Sequence, residues 1–185
     1  MSIPLEPVLE REDLRLRPLR QDDIDDLFAL QSDTRVMRYW SFPAWTRREQ
    51  AAERIEKLAR DRENAEFYTW AVTLDGADRL VGTVSLFAIS REHRRAEIGY
   101  ALASSLWGRG IATRMLRVAI DFAFGTLDLW KLEADIDPRN EASCRLVERV
   151  GFVREGLLRE RWRVAGEVTD SAMYGLLRGD YIARE

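Results

Sequence analysis

The sequence predicts one α/β domain on a mixed sheet, and three observations carry that expectation. Short runs that alternate apolar and polar residues, or are apolar throughout, recur between stretches with helical spacing. At 185 residues with 46% hydrophobic side chains, the chain can bury one sizeable core. No internal repeat, low-complexity tract or linker divides it.

Taken in order, Leu14, Leu16 and Leu19 alternate with Arg15, Arg17 and Pro18, a first strand ending at the proline. Asp22 or Asp23 is placed to cap a helix with Ile24, Leu27, Phe28 and Leu30 on one face. The aromatic stretch from Tyr39 to Trp45 is too short and too broken for a regular element. Thr46 and Glu49 have capping-box spacing and open a second helix through Ala51, Ile55 and Leu58, which fades into Asp61-Arg62-Glu63-Asn64. Three strand-like runs follow: Phe67 to Leu74, Leu80 to Ile89 and Arg94 to Leu102, with Asp75 to Asp78 as a hairpin turn between the first two. Ile111, Met115, Leu116, Ala119, Phe122 and Ala123 mark a third helix, and Leu129 to Ile136 returns as a strand. After the turn Asp137-Pro138-Arg139, Asn140 caps a fourth helix that Gly151 stops. Phe152 to Leu158, Trp162 to Val164 and Thr169 to Leu177 form a last antiparallel set with Gly166 at its turn. These runs are expected to build a mixed central sheet of about seven strands flanked by about four helices.

Charge and cysteine content narrow the function classes. A net charge of −3 argues against a protein that holds nucleic acid through a broad basic face. Only Lys57 and Lys131 among the basic residues are lysine; so uniform an arginine excess reads as composition rather than as a phosphate site. No apolar run approaches the ~18 residues of a membrane span, and Met1 to Glu6 lacks the features of a secretory signal. Cys144 is the sole cysteine, so an intramolecular disulfide is excluded and a reducing cytoplasm is the expected location. His93, the sole histidine, has no acidic or cysteine cluster around it in metal-ligand spacing, and no metal is expected.

The most informative segment runs from Ala96-Glu97-Ile98-Gly99-Tyr100-Ala101-Leu102 into Trp107-Gly108-Arg109-Gly110-Ile111-Ala112-Thr113. A strand enters a turn of small residues, and the turn opens a helix. The first amides of a helix have no partner and point along the positive end of its dipole, a place that holds phosphate. The Gly-Lys-Ser/Thr ending of a nucleotide triphosphate loop and the third glycine of a dinucleotide fingerprint are both absent. On its own, Gly-x-Gly also fits a plain helix start.

Trp107 to Thr113 resembles the acetyl-CoA pyrophosphate turn of the GNAT N-acetyltransferase family, in the form its Rim-type branch carries. The family's usual Gln or Arg three residues before the first essential glycine is Trp107 here. Asn140-Glu141-Ala142-Ser143 through Gly151-Phe152, the tail Gly166 to Asp170 with Tyr174 to Leu177, and Val36 to Trp40 are similar to this branch in the same order. The resemblance spans roughly residues 12 to 180. It implies an N-acetyltransferase domain over 12–180, with an N-terminal extension over 1–11 and a C-terminal tail over 181–185.

The resemblance also implies a mostly antiparallel sheet whose fourth and fifth strands, Arg94 to Leu102 and Leu129 to Ile136, splay apart to admit the pantetheine arm. Leu102, Ala103, Trp107, Gly108, Arg109, Gly110, Ile111, Ala112, Thr113 and Asn140 are the implied cofactor contacts. A bulge at Leu102 and Ala103 frees a backbone amide as oxyanion donor. Glu97 stands where relatives carry a catalytic glutamate and is the candidate base, against a strand carboxylate paired with Arg94 or Arg95. The tyrosine that many relatives place seven residues after the asparagine is Val147 here, so Ser143 becomes the candidate partner of the departing sulfur. Its alternative is a hydroxyl that bonds free first-turn amides. Cys144 is expected to be quiet and buried. Tyr39, Trp40, Phe42, Trp45 and Tyr100 are the candidates for the acceptor cleft, against core or dimer packing.

The expected activity is therefore direct acetyl transfer from acetyl-CoA to a primary amine, first a protein N-terminal amine and second a small amine such as a polyamine, amino acid derivative or antibiotic. A non-catalytic acyl-CoA-binding module is the rival from another class. Neither nucleic acid nor membrane is an expected partner, and a monomer or a homodimer fits equally.

Overall fold

The computed structural model describes residues 7–61, 67–74 and 76–182. Residues 1–6, 62–66, 75 and 183–185 lie outside these, and with them the N-terminal hexapeptide, Asp75 of the expected hairpin turn and the end of the tail.

Eight strands make one sheet: β1 Leu9–Arg11, β2 Leu14–Pro18, β3 Tyr68–Leu74, β4 Gly82–Ser90, β5 Arg95–Leu102, β6 Lys131–Ile136, β7 Val153–Val164 and β8 Glu167–Leu177. Their order is β1-β2-β3-β4-β5-β6-β8-β7. Only β5 and β6 run parallel; every other neighbouring pair is antiparallel. The helices are α1 Ile24–Ser32, α2 Thr34–Met37, α3 Glu49–Asp61, α4 Ile111–Gly125, α5 Glu141–Val150 and α6 Arg178–Ile182.

The two-residue period of the strands assigns their side chains to two faces. Leu14, Leu16, Trp70, Val84, Ile98, Leu132 and Leu176 point to one, where they pack with Met115, Leu116 and Ile120 of α4 and Val147 of α5. Each of these buried aliphatic side chains contributes roughly 1.5–3 kcal/mol through the area it removes from water. The opposite face carries Ala71 and Ala101, covered by Leu27 and Leu30 of α1 and by Ala51, Ile55 and Leu58 of α3. The site lies where α1 and α3 stop covering that second face.

Several elements differ from expectation for identifiable reasons. The sheet begins earlier, at Leu9, because β1 pairs with β2 over Leu9–Leu16, Glu10–Arg15 and Arg11–Leu14. Residues 153–164 form one strand rather than two, with register shifts between Arg154 and Gly156 and between Leu158 and Trp162; Glu160 at φ 53° marks the second irregularity. Asp23 does not cap α1 with its side chain. Its carboxylate instead takes both terminal nitrogens of Arg17 at 2.7 Å, and Arg17 also binds Asp78. With Arg17 4% and Asp23 2% exposed, this clamp leaves neither charge uncompensated in the interior. The start of α3 is closed by Gln50, whose Oε1 accepts from the Thr46 and Arg47 amides at 2.9 and 3.0 Å.

The feature that positions the site is a divergence. β5 and β6 pair only through Arg95–Lys131, Ala96–Leu132 and Glu97–Glu133. Beyond Glu97, β5 continues along β4 as far as Leu102, while β6 continues along β8 as far as Ile136. The expected splay of these two strands is present.

Candidate active site

At the mouth of this gap stands the turn before α4. Gly108 and Gly110 have φ of 76° and 74°, a conformation that costs an L-residue about 1–2 kcal/mol. A Cβ at either position would meet nothing within 4 Å, so the turn stays open toward solvent. The first helical hydrogen bond runs from the Arg114 amide to the Gly110 carbonyl at 3.2 Å. The amides of Ile111, Ala112 and Thr113 therefore precede the helical ladder, at the positive end of the helix dipole where an anion is favoured. Trp107 anchors the turn: its indole Nε1 donates to the Leu102 carbonyl at 2.8 Å.

Leu102 and Ala103 divide the roles the sequence had merged. No bulge interrupts β5 here, since its register with β4 is continuous from Glu97 to Leu102; the irregularity lies at the other end of β4, between Phe87 and Ser90. The Ala103 amide is already committed to the Val81 carbonyl at 2.9 Å. Antiparallel ladders alternate the direction of successive amides, which turns the Leu102 amide toward the edge that β6 has left. Leu102, not Ala103, has its amide free of the β4 ladder.

Glu97 occupies the last paired position before the divergence, beside Glu133 on β6 and Phe87 on β4. The two arginines nearest in sequence make their hydrogen bonds elsewhere. Arg95 donates to Glu133 at 2.6 Å, and Arg94 binds the Asp128 carbonyl at 2.8 Å and its carboxylate at 2.7 Å. Burial raises the Glu97 carboxyl above its ordinary value, and Asp135 and Glu133 push it further the same way; Arg95 and Arg161 oppose them. A carboxylate shifted upward is a better base near neutrality.

Ser143 and Tyr100 meet on the opposite face. Asn140, the N-cap of α5, accepts from the Ser143 amide at 3.2 Å and so sets the first turn of the helix. The Ser143 hydroxyl lies 2.7 Å from the Tyr100 phenol. Burial raises the phenol pKa, and the bond to Ser143 lowers it by less. Tyr100 therefore holds its proton and can donate it to Ser143, leaving the serine proton available to another acceptor. Val147, seven residues after Asn140, is fully buried in the core. Cys144, next in sequence, packs partly buried against that core.

A cavity of about 710 Å³ opens on the Glu97 face. Trp40, Phe42, Trp45, Phe67 and Phe87 are its aromatic walls, and Thr69, Ser85 and Gly99 belong to its floor, with Tyr100 at the edge toward the gap. Trp40 and Phe42 pack with ring centroids 5.2 Å apart, and the Trp45 amide holds the segment to α1 through the Gln31 carbonyl at 2.9 Å. Tyr39 does not join them: it lies against Arg38 and Arg139, 5.2 and 5.9 Å from its ring centre. Phe67, Phe87 and Gln31 also line the cleft and were missed in the sequence, where they read as ordinary strand and helix residues. Among the described residues no group of three His, Cys, Asp or Glu side chains is arranged to hold a metal ion, and His93 is exposed.

This geometry agrees with the comparisons. The Acetyltransferase (GNAT) domain family matches residues 13–153. An uncharacterized N-acetyltransferase, p20 of Bacillus licheniformis, is 32% identical over 94% of this chain and 97% of its own. The crystal structure of spermidine N-acetyltransferase from Vibrio cholerae, in complex with CoA and spermine, superposes with a TM-score of 0.83 at 26% identity, covering 93% of this chain and 99% of that one. RimJ of Mycobacterium smegmatis, in complex with CoA-disulfide, shares the fold with a TM-score of 0.83 at 24% identity, over 94% and 87% of the two chains. The chain belongs to the GNAT family of acetyltransferases, enzymes that take acetyl-CoA as co-substrate.

Proposed function

We propose that Glu97 and Ser143 carry direct acetyl transfer from acetyl-CoA to a primary amine, and that the acceptor is a protein N-terminal amine. The observation that supports this most is the arrangement around the β5–β6 gap: a base with a raised pKa on one face and a hydroxyl pair on the other. A thioester lying in the gap has the acceptor cleft and Glu97 on one side and its sulfur toward Ser143 on the other.

Glu97 takes a proton from the ammonium, since only the free amine has a lone pair to attack with. The Leu102 amide faces the carbonyl oxygen as charge develops there. The N–C bond forms and the C–S bond breaks. Glu97 passes its first proton to solvent before the attack and takes the second one that the nitrogen sheds; the sulfur takes the Ser143 hydroxyl proton, CoA departs as the thiol, and solvent protons restore Ser143 through Tyr100 while Glu97 releases its own, so that one proton is freed in all. Asn140, Trp107 and the turn from Gly108 to Thr113 bind and orient the co-substrate; Arg109, exposed in that turn, adds positive charge beside the diphosphate.

A second reading, acetylation of a small amine, draws on relatives such as the spermidine acetyltransferase structure that holds spermine.

The Glu97→Gln variant tests the assignment of the base. Its kcat should fall by roughly 10²-fold or more at neutral pH, with acetyl-CoA affinity retained. In the wild type, kcat/KM for the amine should rise with pH through a carboxyl pKa displaced upward, because the charged form of Glu97 is the active one. That limb should vanish in the variant. An unchanged rate removes Glu97 from the mechanism.

A further inference from the structure

The cleft owes its place to one row of the sheet. On the Glu97 face, Thr69, Ser85 and Gly99 stand side by side across β3, β4 and β5, and the Thr69 and Ser85 hydroxyls are 3.0 Å apart. Three small residues in register leave a trough in the surface of the sheet. On one side of it, Ala71 and Ala101 are covered by α1 and α3. On the other side the row is Phe87 and Glu97, direct partners in the β4–β5 ladder.

The backbone around Phe87 is irregular. Between the pairs Phe87–Glu97 and Ser90–Arg95, β4 has two residues where β5 has one. Ala88, within this bulge, has φ of 50°, a conformation alanine seldom adopts. Bulges of this kind re-aim a side chain. Here the Phe87 ring leans over its diagonal neighbour, since a Cβ on Gly99 would stand 3.2 Å from it. The ring nevertheless keeps 39% of its residue's surface exposed, and it lines the cleft. Phe87 is thus the aromatic wall that adjoins Glu97.

Resting on the acetyl-transfer reading above, we infer that Phe87 positions the acceptor: the carbons next to the amine lie in the trough against its ring, and the nitrogen is delivered to Glu97. Covering an exposed aromatic ring with carbon is favourable. Glycine at position 99 lets the ring lie low, so that the trough stays open toward Glu97.

The test follows thiol release from acetyl-CoA by the full chain with a peptide beginning with Ala, with spermidine and with tyramine; the amine turned over fastest is the probe. Phe87→Ala should raise KM for that amine by roughly tenfold, the scale of lost apolar contact in a pocket. Its kcat should fall by no more than about threefold, the pattern of lost binding rather than lost chemistry. Acetyl-CoA affinity and the unfolding midpoint should stay near those of the wild type. Phe87→Leu, which keeps an apolar side chain, should bring KM back to within about threefold of the wild type. Gly99 has an ordinary strand backbone, so Gly99→Ala should fold, displace the ring and raise KM severalfold with Phe87 still present. A KM within about twofold of the wild type in Phe87→Ala overturns the role of Phe87 and leaves the transfer reading intact. So does a Gly99→Ala protein with unaltered KM, or a loss in Phe87→Ala that appears equally in acetyl-CoA affinity and midpoint. Failure of all three amines to release thiol from the wild type overturns the transfer reading and this inference together.

Discussion

Tyr100 is the residue whose role changes most once its neighbours are known. It lies on the face of β5 opposite to Glu97, and its phenol reaches across 43 positions of sequence to Ser143. Burial keeps its phenol protonated and so able to donate to the serine oxygen at 2.7 Å; in the proposed mechanism it does so, and the serine proton is left for the sulfur. Tyr100→Phe keeps the packing and deletes only this bond, worth about 0.5–1.5 kcal/mol. Steady-state kinetics should give a kcat lower by roughly 3- to 10-fold, with KM for acetyl-CoA nearly constant and the unfolding midpoint little moved. An unchanged kcat would place the pair outside the chemistry.

At the scale of elements, the decisive parts are the divergence of β5 from β6 and the corner where Gly110 opens α4. Gly110→Val forces a branched side chain into a left-handed conformation, which should lower the unfolding free energy by about 1–2 kcal/mol. It also puts bulk beside the amides of Ile111 to Thr113. Titration should show acetyl-CoA affinity reduced at least about tenfold, the equivalent of one good hydrogen bond lost; an unaltered affinity would mean the diphosphate is held elsewhere. This corner was legible in the sequence because its signals are local: glycines where φ is positive, then apolar residues at helical spacing from Ile111 to Ala123. The splay was legible only through family resemblance, since Glu97 and Glu133 do not advertise that their pairing ends with them. Details that depend on distant partners were not legible. Asp23 looks like a cap until Arg17 claims it, Thr46 and Glu49 look like a capping box until Gln50 closes the turn, and nothing at Tyr100 announces Ser143. Tyr39 failed for the same reason: an aromatic next to Trp40 in sequence faces arginines instead of the cleft.

For the whole molecule, the sheet acts as a partition. Its α4–α5 face supplies the diphosphate corner and the Ser143–Tyr100 pair, and its α1–α3 face supplies Glu97 and the aromatic cleft. The two meet at the gap between β5 and β6, and in the proposed mechanism a thioester seated there is reached by the amine from one face and loses its sulfur toward the other. Direct transfer needs no covalent stop on the protein in such an arrangement. Every step depends on acetyl-CoA occupying that gap. Calorimetric titration of the folded chain with acetyl-CoA is therefore the most direct test: we expect saturable heat at one molecule per chain, and a titration with no saturation would contradict the account.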